Sequence, residues 1–233
     1  MLMNVFRFDN YEKMCGEAAS FIEKKIKLSM NQYGISTMGL SGGSSPWGVY
    51  RELTNKKINW KKVYIFFVDE RYITNTSIHS NFNMIKENLI NHIRIPSENI
   101  FPVPTDGKSA EEDALKYENE IRSFFKGRAK TNVAIFDILV LGMGMDGHTA
   151  SIFPESEVLC NTKDYIVKST APEEYDVRER ITMTLPLINN SREKIFIIAG
   201  KNKAARLQSV IKGKETSPAG LVIKDSSIFT NSY

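Results

Sequence analysis

Apolar positions along this chain recur in two alternating rhythms. Met14, Ala18, Phe21 and Ile22 repeat at i, i+4, i+7 and i+8, which predicts an amphipathic helix over about residues 11–28. Residues 35–40 form a short, largely apolar run that reads as a strand. That strand ends in Ser41-Gly-Gly-Ser-Ser-Pro46, where Pro46 suits the first position of a helix running to about Leu53. Residues 63–68 predict a second strand, residues near 80–90 a helix, and 100–103 a short strand. Ser109 and Glu112 have capping-box spacing ahead of a helix to about Phe125. The run 135–141 predicts a buried strand, and 165–168 and 181–184 look extended. A last strand is expected over 195–199 and a last helix over 201–212. Strands separated by helices predict an α/β fold, a mainly parallel, doubly wound, Rossmann-like sheet with helices on both faces. No repeat, low-complexity tract or long linker divides the 233 residues, so one domain over 1–233 is expected.

Composition narrows the classes. Apolar residues make up 42% and charged residues 25% of the chain, the balance of an ordinary globular protein. The net charge of +4 is spread without a basic block, so nucleic acid is not an expected partner, whereas a small anionic substrate is favoured. Cys15 and Cys160 lie far apart without metal or disulfide spacing, which suits a reducing compartment. The opening Met-Leu-Met-Asn-Val-Phe-Arg-Phe is too short and too polar afterwards for a signal peptide. No stretch approaches the ~18 apolar residues of a membrane span. A cytoplasmic location follows as the expectation.

Chemistry concentrates at strand ends. Leu141-Gly-Met-Gly-Met-Asp-Gly-His148 follows a predicted strand, and beyond the carboxyl ends of strands is where α/β sheets place their sites. Asp146 and His148 form the best acid/base candidate: an imidazole takes a proton near neutral pH, and a carboxylate orients it. Gly142, Gly144 and Gly147 also satisfy G-x-G-x-x-G, but a dinucleotide motif should open a helix, and Pro154 follows within two turns. The 41–46 loop offers glycine amides, serine hydroxyls and a helix N-terminus, the parts of a phosphate cradle, without the lysine spacing of a nucleotide loop. The same residues also suit a plain strand-to-helix turn. Asp69-Glu70-Arg71 at a strand end can hold a substrate or pair among themselves. Arg178 and Arg180 precede an extended run, and Lys201 and Lys203 open the last helix, where an anion would offset the unfavourable dipole. His92 reads as a cap or surface group, and His79 flanks Ser80-Asn81. No metal-ligand spacing and no G-x-S-x-G elbow occurs, so an activated water is easier to defend than a covalent or metal mechanism.

Four segments together resemble the 6-phosphogluconolactonase family: Ser41-Gly-Gly-Ser-Ser-Pro46, Phe67-Val-Asp-Glu-Arg71, the run Gly142 to Pro154, and Arg180-Ile-Thr-Met-Thr-Leu-Pro186. Ser80-Asn81 and Gly200-Lys-Asn-Lys-Ala204 match as well. The resemblance implies hydrolysis of 6-phospho-D-glucono-1,5-lactone, the second step of the oxidative pentose phosphate pathway, without metal or organic cofactor. It implies that Gly42, Gly43 and Ser44 hold the 6-phosphate with Lys203 and Arg71. It implies further that His148 deprotonates water, that Asp146 positions His148, and that Arg180 lies near the substrate. Asp69 is grouped with the substrate-binding residues, and Gly144 is a candidate oxyanion donor. Glucosamine-6-phosphate deaminases share several of these motifs, but usually continue Asp-Gly-His-Ile-Ala-Phe and carry Asp-Glu-Tyr. A deaminase/isomerase, with Asp69 as proton shuttle, and a non-catalytic sugar-phosphate sensor are the alternatives. Ser45 stands where the family commonly has threonine, and the tryptophan usual after the Pro218-Ala219 segment is missing. Some lineages fuse the lactonase to glucose-6-phosphate dehydrogenase, so a domain cut from such a chain and a divergent terminus both fit.

Overall fold

The first predicted helix forms and runs further than its apolar spacing indicates. Strand β1 (Asn4–Arg7) leads into α1 (Tyr11–Tyr33), whose start is fixed by the Asn10 side chain accepting from the Lys13 amide at 2.8 Å. Gly34, at φ +82°, ends it in the left-handed conformation that glycine adopts without strain. The computed structural model describes residues 3–127, 133–214 and 216–232. The chain continues through β2 (Ser36–Leu40), α2 (Trp47–Thr54), β3 (Val63–Phe67), β4 (Asp69–Arg71), α3 (Asn81–Asn88), β5 (Ile100–Phe101) and α4 (Ala110–Phe125). Then follow β6 (Ile138–Leu141), β7 (Ile166–Thr170), β8 (Glu179–Met183), α5 (Leu185–Asn189), β9 (Glu193–Ile198), α6 (Ala204–Ile211), α7 (Pro218–Val222) and β10 (Ser227–Thr230).

Among the described residues, seven strands make one all-parallel sheet in the order β1-β10-β9-β6-β2-β3-β5. Every residue of β2, β6 and β10 is buried, as a sheet covered on both faces requires. From β2 the chain steps outward to β3 and β5, then returns to place β6 on the other flank of β2 and steps the opposite way to β9 and β10. The winding therefore reverses between β2 and β6, and their carboxyl ends open a crevice there. Low down, Asp137 ties the two strands together: its carboxylate accepts from the Thr37 amide at 2.8 Å and the Thr37 hydroxyl at 2.9 Å.

The two segments expected simply as extended do not join this sheet. β7 and β8 form an antiparallel hairpin, and β8 pairs with β4, giving a three-stranded sheet in the order β4-β8-β7. Val68 stitches the sheets, donating to the Leu40 carbonyl at 3.0 Å while its own carbonyl accepts from Met183 at 2.8 Å. The pattern of the sequence did not reveal β1, β4 or β10. β4 is three residues long, and β1 takes its place in the sheet from β10, at the other end of the described chain. One contiguous core runs from Met14 on α1 to Phe229 on β10.

Candidate active site

The crevice is built by the two loops that leave β2 and β6, and its volume is about 180 Å³. After β2, Gly43 sits at φ +93°, and a side chain at Gly42 would collide with the Asn81 amide. Glycine at both positions lets the loop turn under α3 and present its backbone. Among the described residues, the amides of Gly42, Gly43 and Ser44 meet no acceptor. The Ser41 hydroxyl is likewise buried without a partner, and all four residues line the cleft. Tyr11 braces this loop from behind, donating to the Ser45 carbonyl and accepting from the Gly48 amide, both at 3.0 Å. Lys203 reaches in from the turn before α6, its ammonium 3.4 Å from the Ser45 hydroxyl, and burial pushes its pKa down. Free amides, hydroxyls and a partly desolvated ammonium on one wall make a receptor for an anion.

The Asp69-Glu70-Arg71 triplet divides by strand alternation. Asp69 and Arg71 line the cleft, while Glu70 turns away and is 1% exposed. Its carboxylate accepts from the amides of Arg71, Asn81 and Phe82, each at 2.7 Å, and from the Ser80 hydroxyl at 3.0 Å. It thus caps α3, which delivers Asn81 to the cleft. Burial pushes the Glu70 carboxyl up, against the four bonds that favour its charged form. Asp69 accepts from the Ser151 hydroxyl at 2.6 Å, and its carbonyl accepts from the Asn81 side chain at 3.0 Å. Arg71 donates to the His79 carbonyl at 2.5 Å and keeps its Nε unpartnered. Arg180 pairs opposite Arg71 across β4 and β8, is 5% exposed, and does not line the cleft. Burial first, and the Arg71 charge second, depress its pKa.

On the facing wall, His148 Nδ1 lies 2.6 Å from Asp146 Oδ1, and the His148 amide donates to the same oxygen at 3.1 Å. A carboxylate only accepts, so Nδ1 carries the proton and Nε2 is left as the acceptor. Among the described residues, nothing bonds Nε2. Burial alone would raise the Asp146 pKa, but the hydrogen bond and charge of His148 outweigh it and hold the carboxyl below its usual range. The candidate oxyanion donor, Gly144, is corrected by this geometry: its amide already donates to the His148 carbonyl at 2.9 Å. Gly144 instead makes room, because a side chain there would strike the His148 ring. The G-x-G-x-x-G run opens no helix and forms this turn. Ala150, at φ +52°, follows in a strained left-handed conformation that an alanine holds only when its surroundings impose it. The loop is tied down by Arg206 donating to the Met145 carbonyl at 3.0 Å and by Ala219 donating to the Gly147 carbonyl at 2.9 Å.

His92 Nε2 lies 2.9 Å from the Glu87 carbonyl at the surface, and His79 contributes its carbonyl. Reasoning from the sequence missed three participants. Ser151 sits inside the run from Gly142 to Pro154 but drew no role. Asn81 stood out only as part of a matching pair. Tyr175, whose hydroxyl is 3.4 Å from His148 Nδ1, gave no signal at all. Among the described residues, no group of three His, Cys, Asp or Glu side chains converges as metal ligands, and no helix is long and apolar enough to cross a membrane.

A doubly wound sheet with free loop amides and an Asp–His pair at its switch point defines the class: this is an α/β enzyme. The family model for glucosamine-6-phosphate isomerases/6-phosphogluconolactonase matches residues 9–230, and the chain belongs to that family. It is 34% identical over 201 residues to the 6-phosphogluconolactonase of Synechocystis, covering 86% of this chain and 82% of that one. The crystal structure of 6-phosphogluconolactonase from Thermotoga maritima superposes with a TM-score of 0.84 at 31% identity, covering 97% of this chain and 98% of the other. A human protein, the GDH/6PGL endoplasmic bifunctional protein, is 32% identical over 199 residues, which cover 82% of this chain and 24% of that one.

Proposed function

We propose that this enzyme hydrolyses 6-phospho-D-glucono-1,5-lactone to 6-phosphogluconate, the second step of the oxidative pentose phosphate pathway. The 2.6 Å contact between Asp146 and His148 carries the reading, because it leaves Nε2 basic and aimed from a cleft that also holds an anion cradle. The 6-phosphate sits on the Gly42, Gly43 and Ser44 amides with Lys203 and Arg71. Nε2 takes a proton from water as the water oxygen bonds to the lactone carbonyl carbon. Asp146 stabilises the imidazolium. The tetrahedral intermediate then breaks its bond to the ring oxygen, which receives the proton from His148. The new carboxylic acid ionises, so each turnover releases one proton. Arg180, behind Arg71, adds positive potential on the side where that carboxylate forms. Asp69 accepts from Ser151 and keeps a second acceptor oxygen for a sugar hydroxyl. The same reading places the enzyme in the cytoplasm, where the thiols of Cys15 and Cys160 stay free, working beside or fused to glucose-6-phosphate dehydrogenase.

The test is proton release from freshly made lactone with the spontaneous rate subtracted. Wild type should exceed the blank, and His148→Ala should lose about 10²–10⁴-fold in kcat, the range general-base catalysis supplies. A wild-type rate equal to the blank overturns the lactonase reading, and ammonia release from glucosamine 6-phosphate then decides for the isomerase branch.

A further inference from the structure

Tyr175 has no task in the hydrolysis steps, yet its side chain reaches His148 from the second sheet. It lies at the tip of the β7–β8 hairpin, in a turn closed by its amide donating to the Pro172 carbonyl at 3.2 Å. The stems are joined beneath it, Ala171 donating to the Arg178 carbonyl at 2.8 Å. Its hydroxyl oxygen is 3.4 Å from His148 Nδ1, and its ring meets the imidazole edge-on at 6.0 Å and 78°. Phe153 packs against both rings, 5.4 Å from Tyr175 and 4.7 Å from His148. The Arg180 guanidinium stands 5.8 Å from the Tyr175 ring centre.

The Cβ tether and the hydrogen bond to Asp146 hold the imidazole at two points, and the tilt of its plane is then set by what packs against it. A base needs its plane fixed as well, because Nε2 must point at the attacking water. We propose that Tyr175 is the positioning residue that sets this plane: its oxygen is a second acceptor for the Nδ1 proton beside Asp146, and its ring edge holds the imidazole against Phe153. The inference rests on His148 being the base. Two acceptors on one N–H favour the imidazolium, a stronger donor than the neutral ring, and so strengthen the base. The charged groups facing Tyr175 are Asp146 from the loop after β6, Glu174 from its own hairpin, Arg180 from β8 and Arg71 from β4.

Tyr175→Phe keeps the ring and removes the oxygen. It should lower kcat about threefold, the size of one weak hydrogen bond, with KM within about twofold of wild type. The acidic limb of kcat/KM, and the midpoint of the His148 imidazole titration followed by NMR, should both move to lower pH. Tyr175→Leu should lose more activity than Tyr175→Phe, because the ring edge goes too. In an Asp146→Ala background the tyrosine oxygen is the remaining acceptor, so Tyr175→Phe should cost about tenfold or more there. Equal costs in the two backgrounds, or an unmoved NMR midpoint, overturn the proposal. The NMR midpoint reports the contact without turnover, so a fully active His148→Ala would sink the base assignment alone.

Discussion

Lys203 and Asp146 show how single side chains in this cleft are tuned by what surrounds them. Lys203 is partly desolvated and, among the described residues, has one neutral hydroxyl for company, so an anion in the cradle regains the interaction that burial took away. Lys203→Met should therefore raise KM about 10–100-fold, the worth of one charge-assisted hydrogen bond, and leave kcat within about threefold. Steady-state kinetics on the lactone decide it, and an unchanged KM removes Lys203 from the phosphate site. Asp146 is held below the usual carboxylate range, so it is ionised throughout the neutral region and the acidic limb of the rate profile is not its own. Asp146→Asn deletes a negative charge that favours the imidazolium. The limb should then move to lower pH while kcat falls about 10²-fold, and a limb displaced to higher pH would contradict the arrangement. Asp146 and His148 were legible in the sequence, because an acid and a base two residues apart, among glycines at a strand end, mark a place where protons can move. Tyr175 was not, since its contact depends on a hairpin reaching across from another sheet.

At the level of elements, the Asp69-Glu70-Arg71 strand does two jobs with one backbone. Glu70 supplies the acceptor that two amides at the start of α3 and the Arg71 amide of β4 need, and α3 in turn places Asn81 against the glycine loop. Glu70→Ala would leave those amides buried and unpaired, and should cost about 2–3 kcal/mol of stability. Urea denaturation measures this, and a loss under about 0.5 kcal/mol would show that water replaces the carboxylate without penalty. The sequence displayed the triplet as three equal charges. What separates them is pleat alternation combined with a partner eleven residues on, and neither is visible until β4 pairs with β8. The loops after β2 and β6 were legible for the opposite reason: glycines and serines at the end of an apolar run describe the turn and its chemistry together.

Across the whole molecule, the site depends on the sheet reversing direction between β2 and β6, and the alternation of strands and helices predicted such a sheet without giving its order. The far edge was hidden. Phe6 of β1 stacks on Phe229 of β10 at 4.7 Å, with Phe21 of α1 tilted against Phe229 at 5.3 Å. Phe229→Ala should destabilise the fold by about 3–5 kcal/mol, visible as a lower urea midpoint. Its activity per folded molecule should stay within about twofold of wild type, because β10 lies away from the cleft. A variant that kept its stability but lost activity would mean that this edge reaches the site. β10 is also the strand that separates β1 from β9. On the ribosome, β1 is made before every other strand of the sheet and has no hydrogen-bonding neighbour until residues 227–230 have followed. The nascent chain thus carries an open strand while the rest of the domain is translated. Phe6 on that strand and Phe8 just beyond it gain their stacking partner, Phe229, only when that last strand has been made.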